Sequence, residues 1–187
     1  MRPAESFSRD GRTCLVFVSF FFLAGCFAGS VIGSASFSGG LYFDVAGYAE
    51  TVLSRGWAET LWLSGRYVLL AFLMGFALFG PLGIPAAVFL RGYVISCTAA
   101  SVLSCADGRS FEAVLALAGL DALFSVPCLI AVSVEALGLS RMFTRLYFYG
   151  GSRESAVPLL LKFAAAAVIL AAGAAAELYL IPLLVTI

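Results

Sequence analysis

The chain has 187 residues, of which 62% are hydrophobic and 12% charged, and its mean hydropathy is +1.04. That apolar share far exceeds the roughly 45–50% of soluble domains, so the expected class is an all-α, polytopic integral membrane protein with about five spans and little chain left for a soluble domain. Eleven Lys plus Arg balance eleven Asp plus Glu, so net charge gives no reason to expect nucleic acid or an anionic substrate. Histidine is absent, which removes the commonest general base and zinc ligand and argues against an enzyme, a bound metal or a cofactor.

In chain order, the first predicted span is 14–35, "CLVFVSFFFLAGCFAGSVIGSA", behind a head that carries Arg2, Arg9 and Arg12. Leu23-Ala24-Gly25-Cys26 has the form of a lipoprotein cleavage box and "GSAS" that of a signal-peptidase site. Because the apolar run continues well past Cys26, a retained helix is the favoured reading. Gly25, Gly29 and Gly33 form two overlapping GxxxG units, a seam for close helix approach by an internal helix or another protein.

Over 42–64, Val45, Tyr48, Ala49, Val52, Leu53, Trp57 and Leu61 recur near helical spacing opposite Asp44, Glu50, Ser54, Arg55 and Glu59. This predicts one amphipathic helix on the outer face, with Trp57 and Trp62 at headgroup depth, as an anchor or a partner contact.

A second span is predicted at 66–80 and a third at 84–103, separated by "GPLGIP", whose Pro81 and Pro85 are expected to break the helix in a turn. "SCADGRS" is then an exposed turn. The fourth span, 111–137, carries Asp121 and Pro127, the latter a third expected helix break, and the last, 158–182, carries Glu177 near its far end, where a partner contact is expected.

Five cysteines without CxxC spacing read as small apolar residues. With the N-terminus cytoplasmic and the C-terminus outside, Arg2, Arg9, Arg12, Arg141, Arg145, Arg153 and Lys162 fall on or near the inner side against Arg55, Arg66 and Arg109 outside, which satisfies the positive-inside rule.

Two charges, Arg91 and Asp121, fall deep within predicted spans. An Arg or Asp at a helix centre costs roughly 2.5–3.5 kcal/mol to insert, so each needs a partner. Counting inward from the outer ends of consecutive antiparallel helices puts Arg91 about 18 Å and Asp121 about 15 Å deep, and an Arg91–Asp121 ion pair is expected as an internal strut. Glu135 is expected to snorkel or to pair with Arg141. A small transporter or permease subunit using Arg91 and Asp121 as a midplane site is the alternative.

Together, "FVSFFFLAGCFAGSVIG", "LMGFALFGPLGIPAAVFLRGYVIS", "FSVPCLIA" and "AAAELYLIP", in this order and spacing, resemble the family of stage II sporulation protein M of endospore-forming bacteria. The resemblance implies a non-enzymatic membrane scaffold in the mother-cell engulfing membrane. It further implies, as partners besides membrane lipid, stage II sporulation proteins D and P, a transglycosylase and an amidase that thin septal peptidoglycan. The chain departs from wider relatives in having Leu120-Asp121-Ala122 and Ser125 where they carry a Pro-His-Gly segment and a Glu.

Overall fold

The computed structural model describes residues 4–38, 56–77, 79–105, 119–149 and 157–185. All elements among them are helical: α1 Ala4–Ser38, α2 Trp57–Gly75, α3 Gly80–Cys105, α4 Leu120–Tyr149 and α5 Val157–Val185. Four contain apolar stretches long enough to cross a membrane, Gly11–Ser34, Gly80–Ser101, Asp121–Phe143 and Leu159–Ala176. The remaining helix, α2, has 19 residues and carries Glu59 in its first turn and Arg66 at its middle, which lowers its hydropathy.

The boundaries differ from those predicted, for physical reasons. Residues 57–64 are the first two turns of α2 and not the end of a separate amphipathic helix; 42–55 lie outside the described residues, as do 106–118. "GPLGIP" opens α3, with Pro81 in its first turn and Pro85 in its second, and is not a break. A proline in a first turn forfeits a donor that has no intrahelical acceptor anyway, so Pro81 is compatible with helix, and Pro85 removes one further bond without stopping it. Pro127 also lies inside a continuous helix; its exposed ring leaves the buried side of α4 intact. The chain instead reverses between Gly75 and Gly80, where the Phe76 N–H donates to the Leu73 carbonyl and the Gly80 N–H to the Ala77 carbonyl, at 3.2 and 3.0 Å. Toward its other end α4 continues past Leu137 to Tyr149, next to the Gly150-Gly151 pair.

Helix directions follow from which residues meet. A Cβ on Gly25 would fall on the Phe89 carbonyl, one on Gly29 on the Tyr93 carbonyl, and one on Gly33 on the Cys97 carbonyl, so α1 and α3 run parallel in constant register. Gly92 returns the contact from α3, against the Phe22 carbonyl. The seam is thus filled by α3, an internal helix, and α1 packs more extensively on α3 than any other two helices do on each other. Ser64 meets Asp121 and Gly75 meets Ala136, which makes α2 and α4 parallel to each other. Gly80 lies against Ser140 while Arg91 meets Asp121, and Phe124 lies against Gly173 while Glu135 meets Lys162, so α3 and α5 both run antiparallel to α4. Hence α1, α3 and α5 point one way and α2 and α4 the other.

Helix α4 touches all four other helices, and its Leu129, Val132, Ser133, Ala136, Leu137 and Ser140 are fully buried. Alternation of small and branched residues along this face lets neighbouring backbones approach, the packing that drives helix association where no water is available to expel. Outward-facing positions are apolar as well: Phe20, Leu23 and Phe27 on α1 and Leu161 and Val168 on α5 are all exposed. A bundle apolar on both its inner and outer sides matches an acyl-chain environment.

Gly29→Leu should abolish the α1–α3 contact, because a side chain there meets backbone that cannot rotate away. The expected loss is at least the ~1–3 kcal/mol of overpacking, read as a fall in monodisperse protein after detergent extraction, whereas Gly11→Leu, with open space around it, should extract like the parent chain.

Candidate functional site

Four polar side chains, Ser64, Arg91, Asp121 and Ser125, converge where α2, α3 and α4 meet. The Arg91 side chain is 4% exposed, and its Nη2 donates to Asp121 Oδ2 at 2.5 Å and to Ser125 Oγ at 2.8 Å. Ser64 Oγ, from α2, donates to the other carboxylate oxygen, Asp121 Oδ1, at 2.5 Å. The guanidinium also lies over the ring of Tyr67, 5.1 Å from its centroid, close enough for a cation–π contribution. Its Nε is buried without a hydrogen-bond partner among the described residues.

The pairing of Arg91 with Asp121 is observed, but the two residues do not start from the same level. With Gly80 against Ser140 as a common mark, Arg91 lies about 16 Å along α3 and Asp121 about 28 Å along α4 from it. The extended Arg91 side chain reaches toward the Asp121 end of the bundle and covers part of that difference. Gly92, the next residue, lets α1 lie directly on α3 at this level, so the arginine backbone is held from behind.

Ser64, Tyr67 and Ser125 were not identifiable as members of this cluster from sequence alone. Ser125 lies one helical turn after Asp121, on the same face of α4, and that spacing is the one signal that could have found it. For Ser64 and Tyr67 no signal existed, because the α2–α4 register is a tertiary property.

Other expectations resolve differently. Glu135 pairs with Lys162 on α5 at 2.5 Å and not with Arg141, which donates to Cys14 Sγ at 3.4 Å and lies over the Phe17 ring. Trp57 and Trp62 are exposed, at 50% and 64%, and Glu177 is on α5 with its side chain outside the described residues. Gly25, Gly29 and Gly33 are buried against α3, away from any outside partner. Among the described residues no three His, Cys, Asp or Glu side chains are grouped to hold a metal ion.

Chemically, the cluster neutralises a permanent cation with one carboxylate, while the Ser125 hydroxyl accepts from the guanidinium and the Ser64 hydroxyl donates to the carboxylate. A guanidinium does not release its proton at accessible pH, so Arg91 acts here as a fixed charge that sets the positions of its neighbours. Replacing Asp121 alone by Leu should lower the detergent melting temperature by the equivalent of about 3–5 kcal/mol, since it strands the buried cation, whereas the double change Arg91→Met with Asp121→Leu should recover most of that loss. A double variant no more stable than the single one would show that the pair is not a self-contained strut.

No family model, curated protein or solved structure matches this chain.

Proposed function

We propose that this chain is a non-enzymatic membrane scaffold that holds peptidoglycan-degrading enzymes, a transglycosylase and an amidase, at the membrane that engulfs the forespore. The observation that carries this reading is the closure of the polar cluster: Arg91, Asp121, Ser64 and Ser125 bond to one another, which suits them to fixing helix register and not to receiving a substrate. The resemblance to stage II sporulation protein M supports the same role and supplies the expected partners, stage II sporulation proteins D and P.

The proposed topology has five crossings, with the N-terminus cytoplasmic and the C-terminus outside. Its support is directional: α1 and α3 are both long enough to span and run parallel, so the chain between them has to return across the bilayer. Helix α2 is the available return, its 19 residues measuring about 28 Å, close to the hydrocarbon thickness of about 30 Å. Partner contacts are then sought at the outer end, near Trp57 and the Glu177 end of α5. A transport reading draws on one observation, the 20% exposure that the Asp121 side chain retains.

Two measurements test these readings. Purified chain in nanodiscs should retain the transglycosylase or the amidase on co-elution, and failure to retain either sinks the scaffold; activity that persists in the Arg91→Met, Asp121→Leu double variant removes the transport site. In a cysteine-free background, Ser110→Cys should react with a membrane-impermeant maleimide added outside and Ser152→Cys should not, the reverse pattern overturning the orientation.

A further inference from the structure

Helix α2 buries Thr60, Ser64, Val68, Ala71 and Gly75, a single stripe at helical spacing. The positions diametrically opposite, at 100° per residue, are Trp62, Arg66 and Leu73, and all three are exposed. Arg66 stands at the centre of the helix, about 14 Å from either end. With α2 as the return crossing, the cation is at mid-membrane, with about 15 Å of hydrocarbon on either side. That is farther than an arginine side chain reaches, so lipid phosphate does not neutralise it. A charge at this depth needs its partner inside the bilayer.

The bundle does not supply that partner among the described residues. Arg66 Nη2 donates to the Tyr67 hydroxyl at 3.1 Å, and its guanidinium lies 4.8 Å from the ring centroid. The Arg91 guanidinium lies 5.1 Å from the centroid of the same ring. Two guanidiniums thus share one phenol, with one carboxylate beside them, and Asp121 is already engaged by Arg91 and Ser64. Glu59 is about 10 Å along the same face of α2, and Glu135 is paired with Lys162. The group carries a surplus positive charge, and Arg66 turns it outward.

The face beside Arg66 has room for a helix. A Cβ on Gly65 would meet nothing within 4 Å among the described residues, whereas at Gly29, Gly75 and Gly92 it would strike a neighbouring helix. Gly65 is therefore an open notch, with Trp62 and Leu69 one turn to either side. Small residues let a second backbone approach closely, as they do between α1 and α3. Such an approach brings a carboxylate on the incoming helix within reach of Arg66. A second copy of this chain does not complement the face, because a two-fold axis along the membrane normal sets Arg66 against Arg66 and Glu59 against Glu59.

We propose that α2 docks a transmembrane helix of another protein at Gly65 and Arg66, and that this helix carries an Asp or Glu at mid-membrane that pairs with the Arg66 guanidinium. The inference rests on α2 crossing the membrane and not on which enzymes the chain holds.

Energy transfer in nanodiscs between the full chain and a labelled Leu-Ala transmembrane peptide tests it. The parent chain should bind a peptide with Glu at its centre about tenfold more tightly than the matched Gln peptide, the size of one charged hydrogen-bonded contact. Arg66→Gln should lose that preference. Arg66→Glu should reverse it, taking a Lys-centred peptide and rejecting the Glu one, an exchange that misfolding does not produce. Gly65→Leu should weaken binding of the Glu peptide while melting with the parent, since its surroundings are open. A preference that persists in Arg66→Gln overturns the proposal, as does a parent chain that runs as a dimer and that Arg66→Gln dissociates. Moving the Glu along the peptide separates this site from the topology it rests on. Tightest binding with Glu at the peptide's end overturns the α2 crossing and the docking site together, whereas no preference at any depth overturns the docking alone.

Discussion

A guanidinium inside an apolar bundle is the constraint to which the arrangement of α2, α3 and α4 answers. Arg91 cannot discard its charge, and facing lipid unpaired would cost it several kcal/mol, so a carboxylate and hydroxyls have to be delivered to it from other helices. Asp121 and Ser125 come from α4 and Ser64 from α2. Each of these bonds has a direction and a short reach, which van der Waals packing between leucines and alanines lacks. The cluster therefore fixes how far each helix slides along its neighbours. Whether it adds net stability is a separate matter, since desolvation offsets much of the Coulomb gain in such pairs.

The second determinant is steric. Gly25, Gly29 and Gly33 on α1 and Gly92 on α3 bring two parallel backbones into contact. Neighbours in sequence order usually pack antiparallel in membrane bundles, so a parallel pair separated by one helix obliges that helix to run back between their opposite ends. Arg91 and Gly92 are adjacent, which places the charge cluster and the seam on different sides of α3 at the same level. One helix thereby transmits the position of α1 to α2 and α4.

Seen from outside, the molecule offers little chemistry and much surface. Ser64, Arg91, Asp121 and Ser125 face one another inside it, its flanks are apolar, and its exposed tryptophans are both on α2. Trp57 and Trp62 are five positions apart and so point about 140° away from each other. The two indoles are thus on different faces of α2, Trp62 on the same side as Arg66 and Trp57 turned away from it.

Membrane residence, helical class and the candidate charges were legible from composition and hydropathy, because the bilayer demands long apolar helices and penalises any isolated charge. The existence of a seam at Gly25, Gly29 and Gly33 was legible for a similar reason, since small residues at that spacing have one outstanding use. Helix ends were not. Pro81, Pro85 and Pro127 look like breaks in a string of letters, yet a first-turn proline such as Pro81 or an outward-facing one such as Pro127 is compatible with helix, and at Pro85 the loss of one backbone bond does not stop a helix that tertiary contacts hold. Nor could the partner of Glu135, the fourth helix's extension to Tyr149, or the roles of Ser64 and Tyr67 be read. Those depend on which helices become neighbours and in what register, and register is decided only when backbones at Gly29 and Gly92 and the hydrogen bonds to Asp121 are satisfied together.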